Sequence, residues 1–276
     1  MVEPISEQVR RFRPVRVTQR QKAQENAPRM KTSLANAALP RNSKETRTMT
    51  RHILTIAALA GLWITTAFGA LTWDADGSGP NNGGTGPWNT TDLTWYNGAS
   101  HQAWADNNDV VLGGTAGTLT LAENITIGSN STNLILNATT SGYQINGDVG
   151  GLYKLTIDGT GGVGGYRVGV DGALTINAPV VLKGYDLDLR SGTKTLNGVV
   201  SDDGTSRTLV NQAYSTLVLN NANTFSWTVS NGGTLVLGND QALGTGTFVW
   251  TSNAPIMAAN GQRSIAIFQQ IVTGAV

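Results

Sequence analysis

Two carboxylates in a short alternating segment are the residues whose spacing points most directly to chemistry. Asp186 and Asp188 alternate with leucines, and in a strand this period of two places both acids on the same outer face, about 6–7 Å apart. Paired carboxylates at such a distance perform acid and base chemistry on glycosidic bonds. Lys183 and Arg190 flank the pair and are candidates for binding an acidic sugar. The alternative interpretation is a solvated face on which these four charges balance each other.

Three tryptophans form a second candidate site, for ligand binding rather than catalysis. Trp88, Trp95 and Trp104 lie in a stretch rich in glycine and asparagine. The faces of indole rings pack against pyranose rings, so the three side chains are candidates for a sugar platform. The alternative is structural, because the first layer of a stacked fold needs large side chains to cover its open end.

Other chemistry is limited by the residues that the chain lacks. It has no cysteine and two histidines, His52 and His101, which leaves no set of thiolate or imidazole ligands for a metal ion. A Ser-His-Asp triad would have to use His101, and no Gly-x-Ser-x-Gly motif accompanies it. The glycine run at 159–165 precedes no helical pattern, so it does not predict a phosphate-binding loop. We therefore predict neither a metal site nor a cofactor.

The first 70 residues have the pattern of targeting sequence. Residues 51–70 combine a positive start, an apolar stretch and a small-residue end, as a secretory signal peptide does, and cleavage after Gly69 fits the small-residue rule. An uncleaved membrane anchor is the alternative, although the apolar stretch is short for a span. Residues 1–50 are polar and basic, which predicts a disordered leader or sequence upstream of a start at Met49.

Charge divides the chain into two parts. Residues 1–52 hold 12 Lys and Arg against 4 Asp and Glu, whereas residues 71–276 hold 7 against 14. The exported part is therefore acidic, which argues against nucleic acid as a partner. We expect surface glycans or other envelope proteins as partners, and contact with a membrane only through the signal segment.

Residues 71–276 have the pattern of an all-β region. Short runs alternate aliphatic and polar residues with a period of two, as half-buried strands do, and they lie at 118–121, 133–136, 154–157, 173–176, 186–189, 216–219 and 234–237. Similar runs recur at one or two multiples of about twenty residues, which predicts a stacked β-solenoid. Asn-Gly steps at 97–98, 146–147, 197–198 and 231–232 would supply left-handed backbone at its corners. The alternative is an antiparallel sandwich or barrel.

The segment from Ser215 to Thr247 resembles the autotransporter-associated β-strand repeat. In that family's order it contains Leu217-Val218-Leu219, Ala222-Asn223-Thr224-Phe225, Gly232-Gly233-Thr234-Leu235 and Ala242-Leu243-Gly244-Thr245-Gly246. The family has Gly-Gly-Thr where this chain has Ser226-Trp227-Thr228, so the resemblance supplies no glycine turn there. The tryptophan-rich stretch is similar to the one that often precedes such repeats. The resemblance implies a right-handed parallel β-helix within an exported bacterial passenger.

Together these features predict four segments: a disordered leader at 1–50, a signal peptide at 51–70, an N-terminal cap at 71–112 and β-solenoid repeats at 113–276. The sequence ends soon after a repeat, so we expect a truncated product or a piece of a longer passenger. The predicted function is a non-catalytic protein, secreted or on the bacterial cell surface or outer membrane, with a structural or adhesive role. The alternative is a carbohydrate-active β-helix enzyme, a lyase or hydrolase, that uses Asp186 and Asp188.

Overall fold

The computed structural model describes residues 69–79, 82–128, 134–161, 167–251, 253–265 and 269–270. The chain divides into two units, Met1–Ile64 and Thr65–Val276, and all described residues belong to the second. The predicted leader at 1–50 and residues 51–68 of the predicted signal peptide lie outside the described residues. Both therefore stay predictions.

The regular secondary structure of the described residues is almost entirely β-strand, as the alternating pattern predicts. The first seven strands are β1 Leu71–Trp73, β2 Gly86–Trp88, β3 Trp95–Tyr96, β4 His101–Gln102, β5 Val110–Leu112, β6 Thr118–Leu121 and β7 Ile125–Gly128. The next six are β8 Leu134–Asn146, β9 Leu155–Asp158, β10 Arg167–Ile176, β11 Val180–Lys183, β12 Asp186–Leu196 and β13 Val200–Asp202. The last six are β14 Thr208–Leu219, β15 Thr228–Asn231, β16 Thr234–Leu237, β17 Phe248–Trp250, β18 Ile256–Ala258 and β19 Gln269–Gln270. All seven alternating runs contribute residues to these strands.

Helical structure is minimal in this part of the chain. A 3₁₀ turn at Gly159–Gly161 is the one helical element that the described residues contain. No helix among them has the length and apolar character needed to cross a membrane.

Parallel pairing dominates the strand arrangement. In the larger sheet the long strands β8, β10, β12 and β14 lie side by side, each parallel to the next. A smaller sheet contains β7, β9, β11 and β13 in that order, again all parallel. Among the described strands, antiparallel pairs occur only where β3 meets β1 and β4. The antiparallel sandwich or barrel named as the alternative is therefore wrong for the described strands β5 to β19, because the strands of such folds run in opposite directions.

In-register pairing stacks the aliphatic side chains of successive strands into buried columns. One column in the larger sheet joins Leu119, Ile145, Ile176, Leu196, Leu219 and Leu237. Another, in the smaller sheet, joins Ile125, Leu155, Val180 and Val200. All of these side chains are buried, as are Leu174, Leu217 and Leu235 of the recurring sequence pattern. Burying each one contributes about 1.5–3 kcal/mol, so the columns are the main source of stability in this region.

Two glycines accommodate irregular points within the long strands. Gly172 of β10 and Gly192 of β12 have φ angles of +79° and +73°, and both lie where the register between β10 and β12 shifts. A Cβ atom on Gly172 would lie 1.9 Å from the carbonyl oxygen of Ala138 in β8. Any other residue at this position would therefore both clash with the neighbouring strand and strain the backbone.

The Asn-Gly steps differ from the prediction made for them. Their glycines are Gly98, Gly147, Gly198 and Gly232, and of these only Gly98 has a left-handed φ, +94°. A left-handed corner is therefore wrong for the other three steps. Gly198 is required because two turns of the chain approach each other closely at this position. A Cβ atom on this residue would lie 2.0 Å from the carbonyl oxygen of Ala178.

Asparagines that end or follow buried strands form a hydrogen-bonded ladder. The Nδ2 atom of Asn177 donates to Oδ1 of Asn146 (2.6 Å), Asn197 to Asn177 (2.6 Å) and Asn220 to Asn197 (2.7 Å). Each bond contributes about 0.5 kcal/mol and holds one turn in register with the next. The members are separated by 31, 20 and 23 residues, so the ladder accommodates loops of different length.

Side chains replace the glycine turn where the chain departs from the repeat pattern. The hydroxyl of Ser226 donates to Oδ2 of Asp202 at 2.8 Å, and the indole of Trp227 is buried. A hydrogen bond and a packed ring thus fix this turn without a glycine.

Candidate functional site

The two candidate carboxylates lie on the outer side of β12, as their alternation with leucines predicts. Leu187 and Leu189 are buried, whereas Asp186 and Asp188 are half-buried. Oδ1 of Asp186 accepts a hydrogen bond from the backbone N–H of Thr208 at 2.8 Å. Oδ1 of Asp188 accepts one from the Nε2 atom of Gln212, also at 2.8 Å. Both acids therefore connect β12 to β14, the next strand of the sheet.

Accepting a hydrogen bond from a neighbouring turn of the chain is a common role of polar side chains in this fold. In four further examples the donor is a backbone N–H: Asp106 accepts from Thr126, Glu123 from Thr90, Asn124 from Lys154 and Asn223 from Val200. Such a bond pairs a backbone donor that no ladder bond reaches. Asp186 belongs to this structural pattern, which gives its carboxylate a role that requires no substrate.

The two cations predicted to accompany the acids lie in different sheets. Arg190 is on β12 with Asp186 and Asp188, and its guanidinium lies over Gly169 of β10, in space that a Cβ on that glycine would occupy. Lys183 ends β11 in the smaller sheet, where its Nζ atom is 2.9 Å from Oδ2 of Asp158. The structure thus brings together Asp186, Asp188 and Arg190 but places Lys183 elsewhere.

A β-bulge beside these residues exposes a tyrosine that the sequence pattern did not identify. Leu189 pairs with Asn211 and Ser191 pairs with Tyr214, so two steps along β12 correspond to three along β14. A bulge of this kind inserts one residue and redirects the side chains that follow it. Tyr214 is 89% exposed. The signal available in the sequence was the run Asn211-Gln212-Ala213-Tyr214-Ser215, which breaks the strict alternation of the strand.

The candidate tryptophans form a closed cluster with a fourth, Trp73. All four side chains are between 0 and 2% exposed. The ring of Trp95 is central, with its centroid 5.1 Å from that of Trp73, 4.9 Å from Trp88 and 4.7 Å from Trp104. Trp88 and Trp104 meet edge to face at 5.0 Å. Pairs with such geometry add about 0.5–1.5 kcal/mol each beyond the burial of their area.

Strand pairing explains how the cluster forms. β1 and β3 are antiparallel with Trp73 opposite Trp95, while Trp88 ends β2 in the same sheet. Because Trp88, Trp95 and Trp104 cover each other, none presents an open ring face to a sugar. This geometry favours the structural interpretation of the three tryptophans, and their assignment to ligand binding stays a prediction.

A buried histidine–aspartate pair lies next to the cluster. Nε2 of His101 is 2.9 Å from Oδ2 of Asp74. The Asp74 side chain is fully buried, and its Oδ1 atom has no hydrogen-bond partner among the described residues. The pair joins β4 to the residue that follows β1, and the His101 ring also packs on Tyr96 with centroids 5.2 Å apart. Its evident role is to hold the antiparallel strands at the N-terminal edge of the larger sheet.

A lysine occupies one position in the aliphatic columns. Lys194 pairs with Leu174 on one side and Leu217 on the other, and it is only 2% exposed. Its Nζ atom donates to the carbonyl oxygen of Ser191. Burial lowers the pKa of Lys194 to about 8, against the opposing attraction of Asp171. The sequence pattern missed this residue because lysine at an inward position looks like a break in the alternation.

Metal ligands do not converge within the part of the chain that the structure describes: no group of three or more His, Asp or Glu side chains is placed to hold an ion.

Comparison with known proteins relates the chain to an autotransporter. Over 180 residues, 62% of its length, it is 31% identical to the adhesin BmaC autotransporter of Brucella suis biovar 1 (strain 1330). The aligned part is 4% of that much longer protein. No family model matches the chain, and no solved structure matches it.

Proposed function

We propose that this chain is part of an exported, non-catalytic β-solenoid with an adhesive role at a bacterial surface. The observation that carries the proposal is the 31% identity to a protein named as an adhesin autotransporter. The parallel, in-register stack of strands supports it, because such a stack builds a long side-chain surface from short repeats. Since the aligned part is only 4% of that relative, the adhesive role is proposed for the segment and not taken over from the whole protein.

The solenoid is right-handed in this proposal. Successive parallel strands such as β10, β12 and β14 are joined by crossover connections that include a strand of the smaller sheet or a loop. Crossovers between parallel strands of one sheet are right-handed in nearly all proteins, since the twist of the strands favours that hand. The segment from Ser215 to Thr247 resembles the autotransporter-associated repeat, and this resemblance also implies a right-handed β-helix. Small-angle scattering of the form cleaved after Gly69 should give an elongated particle; a compact sphere would contradict the solenoid.

Export is proposed to begin with cleavage of the predicted signal peptide. Expression of the full chain in a Gram-negative host, followed by N-terminal sequencing of the extracytoplasmic form, should give Ala70 as the first residue. Recovery of the intact N-terminus in the membrane fraction would instead support the uncleaved anchor.

Adhesion is tested with beads that carry the purified chain at a fixed density. Under flow these beads should attach to cultured eukaryotic cells in larger numbers than albumin-coated beads do. Beads that carry the heat-denatured chain should attach in no larger numbers than the albumin-coated beads. Equal attachment of native and denatured beads would overturn the adhesive role.

The carbohydrate-active alternative has no observation in its favour. Asp186 and Asp188 each accept a hydrogen bond from a protein donor on β14, which accounts for their placement on the outer face. We therefore advance no second function.

A further inference from the structure

The strand β18, Ile256–Ala258, lies at an edge of the larger sheet, and all three of its residues are exposed. It pairs in parallel with β16, and no other described strand pairs with its opposite side. The segment around it, residues 241–262, contains no Asp, Glu, Lys, Arg or His. Proteins usually protect an edge strand with charge, proline or a covering segment, because its unpaired backbone groups otherwise pair with another chain. β18 is therefore open to the addition of a strand.

Two of the buried aliphatic columns reach solvent at this strand. Ile256 pairs with Leu235 and Ala258 pairs with Leu237, and both leucines are buried in β16. In β18 the same two positions are exposed, and the Ile256 side chain is 38% exposed. A molecule that covers this edge must therefore offer apolar side chains as well as backbone hydrogen bonds.

The hydrogen bonds to β16 define which backbone groups of β18 face the free side. The carbonyl oxygen of Pro255 accepts from a backbone N–H of β16 at 2.9 Å, and the N–H of Ala259 donates to a carbonyl oxygen of β16 at 2.9 Å. Successive residues of a strand point these groups to opposite sides, so the N–H and C=O groups of Ile256 and Ala258 face away from β16. The missing N–H of Pro255 lies on the β16 side, and this proline therefore does not protect the free side.

The other end of the same series of strands is protected. β2 begins the series that β18 ends, and its middle residue is Pro87. The carbonyl oxygen of Trp88 accepts from the backbone N–H of Ala122 at 3.0 Å, so by the same alternation Pro87 faces the outer side of β2. Proline has no N–H to donate there. Pairing of β18 in one copy with β2 in the next is therefore disfavoured, and pairing of β18 with itself is favoured.

We propose that two copies of this chain associate through β18, with the two strands antiparallel about a two-fold axis at Met257. The axis is perpendicular to the sheet, so Ile256 of one copy lies opposite Ala258 of the other, and Met257 lies opposite Met257. The backbone groups of Ile256 and Ala258 that face the free side then exchange hydrogen bonds in both directions. Rotation about this axis keeps the inward side chains on one face, so the aliphatic columns of the two copies become continuous.

Charge and size favour a second copy and a weak association. An uncharged edge meets no repulsion from its own copy, whereas opposed like charges on paired strands are destabilising. A contact formed by one short strand and the end of the columns is small, and small interfaces are transient. The proposal does not rest on the adhesive role.

Sedimentation velocity measures the association on the form cleaved after Gly69, which lacks the apolar segment at 53–64. The wild type should change from monomer to dimer as its concentration rises from about 1 μM to about 300 μM. Met257→Lys and Met257→Glu each place like charges opposite one another and should weaken the dimer by about tenfold. An equimolar mixture of the two variants should recover dimerisation, because opposite charges then face each other across the axis. Met257 is 47% exposed, so circular dichroism should show both variants folded.

Leu152→Lys is the matched control, because Leu152 is also exposed but lies on the turn before β9; this variant should dimerise like wild type. A monomer at every concentration would overturn the proposal, and dimerisation that then appeared on removal of residues 271–276 would identify that segment as the occupant of the edge. Assemblies that grow beyond the dimer would indicate head-to-tail contacts instead of a two-fold pair. Equal weakening by Leu152→Lys, or a mixture of the Met257 variants that stays monomeric, would show that β18 is not the interface.

Discussion

The N-terminal part of the described chain and the parallel strands that follow it are stabilised by different side chains. Residues 71–112 depend on four interlocked tryptophans, two antiparallel strand pairs and the contact between buried Asp74 and His101. The parallel strands depend on aliphatic columns that continue from strand to strand. Stability in a stacked fold is approximately a sum over neighbouring units. A cluster around one central ring, by contrast, loses its packing as a whole when that ring is removed. The two parts should therefore respond differently to single substitutions.

The largest effect is expected from Trp95→Ala. The substitution removes the ring that touches all three other tryptophans and should lower the free energy of unfolding by about 4 kcal/mol. The measurement is urea denaturation followed by circular dichroism near 218 nm. Leu93→Ala, at a neighbouring exposed position, should change stability by less than about 0.5 kcal/mol.

Hydrogen exchange of the same variant separates the two parts. Trp95→Ala should lose protection in β1 to β5 and keep it in β14 to β16, since these distant strands share no contact with the cluster. Uniform loss of protection along the chain would show that the two parts unfold together.

The next largest effect is expected from His101→Ala. The substitution leaves the buried carboxyl group of Asp74 without its hydrogen-bond partner, and a buried polar group that loses its partner costs up to about 3 kcal/mol. Thermal unfolding followed by circular dichroism measures the loss. His101→Gln, which retains a donor, should recover part of the loss; an equal loss in both variants would mean that ring packing on Tyr96 matters more than the hydrogen bond.

Among the parallel strands, Lys194→Met should raise stability rather than lower it. Methionine fills the column without a buried charge, and the expected gain is about 2 kcal/mol at pH 7. The folded pKa of Lys194, about 8, lies below its ordinary value of 10.5, so between these values the unfolded chain binds more protons at this residue. The free energy of unfolding of wild type should therefore rise with pH between about 8 and 10.5. The stability advantage of Lys194→Met over wild type should be complete below pH 8 and should shrink towards pH 10.5. Urea midpoints of the two proteins from pH 7 to 10.5 test this, and a pH-independent gain would contradict it.

The smallest effect is expected from Asn197→Ala. Asn197 donates to one ladder neighbour and accepts from the other, so its loss removes two solvent-accessible bonds and should cost about 1 kcal/mol. The measurement is urea denaturation, and the control is Thr193→Ala, a substitution at an exposed position. An unchanged midpoint would mean that the aliphatic columns alone hold the register.

Much of the fold follows from the sequence because the alternation of aliphatic and polar residues is a local property. The pattern located strands at Leu119, Leu174, Leu217 and Leu235 and placed Asp186 and Asp188 on the outer side of β12. The bulge at Tyr214 and the burial of Lys194 depend on which strands pair and in what register. Those pairings join residues about twenty or more positions apart, and single-sequence patterns do not encode them.

The candidate site shows the same limit. Tryptophan spacing identified the aromatic residues but not whether their faces are open, since closure depends on Trp73 meeting Trp95 across an antiparallel pair. The Asn-Gly steps were assigned to left-handed corners from dipeptide preference, yet Gly198 is required by close contact with Ala178. Turn chemistry predicts the preferred backbone conformation of an isolated dipeptide, while packing between successive turns decides that conformation in the folded protein.

The asparagine ladder has a consequence for how such a chain diversifies. Because its members bond across intervals of 31, 20 and 23 residues, insertions between two rungs leave the interior unaltered. Selection can thus lengthen or exchange the outer loops and acquire new specificities while the scaffold persists. The same freedom makes the spacing of similar segments irregular in the primary structure, so such sequences can diverge further than their architecture does.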